Sequence, residues 1–76
     1  MASRFLINDE VQVKVSSTAQ LWPGRWSKFP SVGDLGRVLD FEGPRVVVEM
    51  ADARGNSHWI ASFDEAALDL VRRPAR

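Results

Sequence analysis

The sequence predicts an all-β domain, a small barrel of five strands with one 3₁₀ turn before the last strand, and three observations predict it. Glu10 to Val15 alternates strictly, with Val11, Val13 and Val15 on one face and Glu10, Gln12 and Lys14 on the other, the period of a half-buried strand. Gly33 to Met50 holds two aliphatic runs separated by Glu42-Gly43-Pro44, which supplies a positive-φ position and a fixed φ and so reads as a hairpin. Between these stretches, Pro23, Gly24 and Pro30 exclude a continuous helix or a central strand.

In chain order, residues 1–4 are expected to be a loose start. Phe5-Leu6-Ile7 is a short apolar run that caps the barrel or begins the first strand, and Asn8-Asp9 is a turn signal. The strand from Glu10 to Val15 is well specified, because a slip of one residue would turn three valines into water. Ser16 to Val32 has no period, and irregular stretches of this length in small domains are often functional. Gly33 and Gly36 flank the entry to the central hairpin, where the chain bends or is approached closely by another strand.

Ala51 to Asn56 is a second polar turn, and Ser57 to Ser62 is the following strand, with Trp59 and Ala61 on one side and His58 and Ile60 on the other. Ser62-Phe63-Asp64-Glu65 has the form of a capping box, placing a helical start at Phe63. Phe63, Ala66, Ala67, Leu70 and Val71 fit an amphipathic helix. The rival is one 3₁₀ turn over Asp64 to Ala67 followed by a last strand, Leu68 to Val71. The rival is preferred because that strand closes a barrel, whereas the helix leaves edges open. Residues 72–76 are read as a frayed tail.

With 76 residues the chain is read as one domain, residues 1–76, and its core is thin. There is no Cys to staple it, so apolar packing must hold it and oligomerisation would help. Ten basic and ten acidic residues cancel, which removes the overall field that draws a protein to nucleic acid or anionic membrane. The balance is local: Val11 to Gly33 carries Lys14, Arg25 and Lys28 with no acid, while Asp34 to Asp69 carries eight of the ten acids. No apolar run reaches the roughly 18 residues of a membrane span and no signal-like segment opens the chain, so a cytoplasmic location is expected.

Strand, long irregular loop, hairpin, second hairpin, helical turn and closing strand is the order of SH3-like barrels, and the chain resembles that superfamily. The likeness is carried by Val11-x-Val13-x-Val15, Gly33-x-x-Gly36-x-Val38, Val46-Val47-Val48-Glu49 and Phe63-Asp64-Glu65-x-x-Leu68-x-Leu70. The Ala-Leu-Tyr-Asp-Tyr segment of signalling SH3 domains is missing, and the chain has no Tyr. In general plan it is similar to the photosystem I peripheral subunit that helps dock ferredoxin and to the β-subunit barrel of nitrile hydratase, which implies docking or scaffolding. Similarity to the type II dihydrofolate reductases would imply catalysis in the pore of a homotetramer. Here, however, His58-Trp59-Ile60-Ala61 stands where that family has Val-Gln-Ile-Tyr, and only Ile60 and Ala66-Ala67-Leu68 match.

Nothing else favours an enzyme. His58 is the sole imidazole and reads as a hydrogen-bonded structural residue; no thiolate metal site, cofactor motif or P-loop is present. Asp40, Glu42, Asp64 and Glu65 sit near turns, where carboxylates complement free backbone N–H groups. The function expected is therefore a non-catalytic protein-interaction or accessory module, with no cofactor, that works through the aromatic and basic loop 16–33. Trp22, Trp26 and Phe29 are three of the seven aromatic residues, and Arg25 and Lys28 lie among them. Trp and Arg lead the residues of binding hot spots, so Trp22, Arg25, Trp26, Lys28 and Phe29 are the candidate partner-binding set. Alternatively the same aromatics fold back as a lid on the barrel. The partner is a protein or a second copy of the chain. Single-stranded nucleic acid, stacked on the aromatics beside Lys14, Arg25 and Lys28, is the alternative ligand.

Overall fold

The computed structural model describes residues 3–74. Six strands run in the order β1 (Glu10–Val13), β2 (Gln20–Leu21), β3 (Leu35–Glu42), β4 (Arg45–Ala51), β5 (Ser57–Asp64) and β6 (Leu68–Arg72), with a 3₁₀ turn over Glu65–Ala67. They form one antiparallel sheet, ordered β2-β5-β4-β3-β1-β6. The class is all-β as expected. The ladder, however, has six strands and leaves β2 and β6 as its two ends, so the hydrogen bonds do not close it into the expected five-stranded cylinder.

Strand β3 links the halves of the sheet. Its first residues pair with β1, Leu35 opposite Gln12, and Arg37 to Glu42 pair with β4. The register shifts between Val38 and Asp40, a bulge that bends the strand, as extra residues in a ladder do. Gly36 faces β4 so closely that a Cβ there would lie 2.5 Å from Val48 Cγ1 and 2.8 Å from the Glu49 carbonyl oxygen. The entry to the hairpin therefore needs glycine because another strand approaches it. At the turn, Gly43 takes φ 58° and Glu42 pairs with Arg45, as the Gly-Pro spacing requires.

The inner face collects Val11, Val13, Val38, Val46, Val48, Trp59, Ala61, Phe63 and Leu68, closed by Phe5 and Ala67. Trp59 and Phe63 pack as a tilted pair with ring centroids 5.6 Å apart. Val47 points the opposite way from Val46 and Val48 and is also fully buried, opposite Ser62, so β4 is covered on both sides.

Several elements differ from the sequence reading. Strand β1 stops at Val13 and Val15 is 42% exposed, because the amides of Lys14 and Val15 both turn to the Ala67 carbonyl. Ser62 does not cap a helix: it lies within β5, its Oγ accepts from Arg45 Nε, and Phe63 continues the inward alternation of Trp59 and Ala61. The single 3₁₀ turn and closing strand are present, the turn beginning one residue later than expected and the strand running one residue further. Of the expected loose ends, residues 1–2 and 75–76 lie outside the described residues, while Arg4 and Arg73 are engaged. Arg4 donates to the Leu68 carbonyl at 2.7 Å, and Arg73 grips Asp9 with Nε at 3.0 Å and Nη2 at 2.8 Å. Asp9 is fully buried and also accepts from the Leu6 amide at 2.8 Å.

Replacing Gly36 by Ala forces Val48 and the Glu49 carbonyl to move. The expected loss is about 1–3 kcal/mol, the usual cost of overpacking, read as a lower urea midpoint; an unchanged midpoint would refute the close approach.

Candidate interaction surface

The chain from Lys14 to Asp34 leaves β1 and returns to β3, and it is fastened along its length. Near its start, the Arg45 guanidinium donates to the Thr18 carbonyl at 2.9 Å while holding the Ser62 carbonyl at 2.8 Å and Asp64 at 3.0 Å. Further on, β2 pairs with β5, the Trp22 amide donates to the Ile60 carbonyl at 2.9 Å, and the Ser27 amide donates to the His58 carbonyl at 3.0 Å. Ser27 Oγ also lies 2.9 Å from His58 Nδ1. His58 therefore pins the loop to β5, a structural role consistent with the sequence reading. The expected irregular stretch thus contains a short strand, because its backbone groups complete the outer edge of β5.

Asp34 secures the other end. Its carboxylate accepts from Lys28 Nζ at 2.9 Å, from the Ser31 amide at 2.9 Å and from the indole N–H of buried Trp59 at 3.2 Å. Burial pushes this carboxyl up, but the Lys28 ammonium, the Ser31 amide and the Trp59 indole outweigh it and hold Asp34 below the ordinary carboxylate range. Asp9 is held down in the same direction by the Arg73 guanidinium and, against the opposing effect of burial, by the Leu6 amide.

The five candidate residues have different environments. Trp26 packs against the core and donates its indole N–H to the Trp22 carbonyl at 2.8 Å. Its ring lies across Gly24, which has φ 147° and no room for a side chain: a Cβ there would meet Trp26 Cζ2 at 2.9 Å. Trp26 thus serves as a lid. Lys28 is committed to Asp34. Trp22 is half-buried, with its indole donating to Glu42 Oε1 at 3.3 Å across to the β3–β4 turn. Arg25 is exposed and makes no ion pair among the described residues. Phe29 is 49% exposed, next to buried Pro30. The outward-facing set is therefore Trp22, Arg25 and Phe29, joined by Glu42, whose nearness to the loop had no sequence signal. The need for Asp34 had one: an inward-facing Trp requires an acceptor for its N–H.

Two hollows of about 430 and 400 Å³ open around Glu10 and Arg37, and none of the five loop residues lines them. Among the described residues no group of three or more carboxylates and imidazoles is arranged to hold a metal ion, and no helix is long and apolar enough to cross a membrane. No protein-family model matches the chain, and no curated protein or solved structure matches it either.

Trp26→Ala removes the lid and is expected to destabilise the fold by about 1–3 kcal/mol, less than truncation of a wholly buried indole, measured by urea denaturation. Both Asp9 and Asp34 have lowered values in the fold. Their stabilising contribution is therefore complete above the unfolded carboxylate value of about 4 and is lost as pH falls through the folded values. The urea midpoint should drop on acidification below about pH 4, and Asp34→Asn should drop less steeply; parallel profiles would contradict the assignment.

Proposed function

We propose that the chain is a non-catalytic interaction or accessory module, built on the plan of an SH3-like barrel, which docks a protein through the outward side of the Trp22 to Phe29 loop. The strand order supports the plan. Apart from the two-residue β2, the ladder runs β5-β4-β3-β1-β6, five strands with a 3₁₀ turn before the last, and the β3 bulge curls it. A closed small barrel is the limit of that curling.

One observation carries the docking reading. The loop is rigidly fastened by Asp34, Arg45 and His58, yet it leaves Trp22 half-buried at its surface and Arg25 and Phe29 exposed. A loop backbone already fixed in place, and a Trp22 held through its indole N–H by Glu42, lose little conformational freedom on binding, which is how a few residues come to dominate an interface. The ion pairs favour a protein over a nucleic-acid strand. Lys28 is taken by Asp34 and Lys14 lies 3.4 Å from Asp69, so two of the three cations of a phosphate-tracking surface are already neutralised.

Trp22→Ala keeps every backbone hydrogen bond of the loop and is expected to fold as the wild type while losing capture of its partner from native lysate. Equal capture by the wild type and this variant would refute the docking role.

A further inference from the structure

We infer that the partner seated on the Trp22 surface is a second copy of this chain, related by a two-fold axis that places Arg25 of each protomer against Glu42 of the other. This rests on the docking role proposed above. It follows from which charges are left once the internal pairs are made. Among the described residues, Arg4, Lys14, Lys28, Arg37, Arg45, Arg72 and Arg73 each have a carboxylate within 4.0 Å. The described cations outside these pairs are Arg25 and Arg54, and the carboxylates outside them are Asp40, Glu42 and Asp52.

Arg54 and Asp52 belong to one hairpin, where the Arg54 amide donates to Asp52. The remaining charges lie close along the chain to Trp22 or to its hydrogen-bond partner. Glu42 holds the Trp22 indole, Asp40 lies two residues before it, and Arg25 follows three residues after Trp22. The neighbourhood of half-buried Trp22 therefore carries an exposed cation and exposed carboxylates that make no ion pair among the described residues. A partner with a single sign of charge would satisfy half of it. The patch itself, rotated by a two-fold axis, satisfies all of it, because an isologous contact makes each cross-link twice. The patch also borders β2, an end strand of the sheet whose residue Leu21 is 40% exposed, so apolar side chain and free backbone edge lie beside the charges. A second copy covers all three features.

Sedimentation equilibrium tests this on the full chain. The wild type should give twice the single-chain mass of 8.5 kDa. Arg25→Glu and Glu42→Arg should each give the single-chain mass by placing like charges opposite one another, with far-ultraviolet circular dichroism unchanged. The double variant carrying both reversals should return to the doubled mass, which a merely structural role for either residue would not produce. A wild type of single-chain mass overturns the second copy and leaves the docking role to its own test, which fails if the wild type and Trp22→Ala capture equally from lysate. A doubled mass that neither the charge reversals nor Trp22→Ala reduces likewise overturns the second copy on this surface, since the contact then lies on another face.

Discussion

The carboxylate of Asp34 is the constraint on which the rest depends. It receives the N–H of Trp59, the largest wholly buried side chain, and on the same group it takes Lys28 and the Ser31 amide from the long loop. A buried indole without an acceptor would cost about 1–3 kcal/mol. Supplying that acceptor from the first residue after Gly33 couples the core to the loop. The loop then holds the position in which Trp26 covers the core and Trp22 faces outward. Core, lid and exposed loop face are thus successive layers around one anionic group.

A second carboxylate, Asp9, does similar work at the opposite end of β1. It is buried and serves the Leu6 turn on one side and the Arg73 guanidinium on the other. Arg45 has the complementary role, a cation that gathers Thr18, Ser62 and Asp64. In a domain too small for a deep core, these charged groups, each with several hydrogen-bond partners, set the path of segments that apolar contact alone leaves undefined.

Local pattern made the strands and turns legible. The valines of β1, the paired aliphatic runs around Gly43, and the alternation Trp59, Ala61, Phe63 all express the two-residue period of a strand. The reading went astray where local pattern was ambiguous. Ser62 and Glu65 have capping-box spacing, yet Ser62 is held in the ladder opposite Val47. Val15 fits the β1 alternation, yet the chain has already turned toward Ala67. Pairings across large separations left no local trace: Asp34 with Trp59, Thr18 with Arg45, Asp9 with Arg73. Consequently the loop was recognisable as an irregular aromatic and basic stretch, while the separate environments of its side chains, Trp26 packed on the core, Lys28 paired with Asp34, Trp22 and Arg25 at the surface, were not.

The clasp between Asp9 and Arg73 spans 64 positions. Because the entropy of closing a loop rises only slowly with its length, two stretches with no local relation can share one fastening. Releasing the guanidinium would strand a carboxylate shut off from water, so the Leu6 turn and the chain end of β6 would loosen together rather than one at a time.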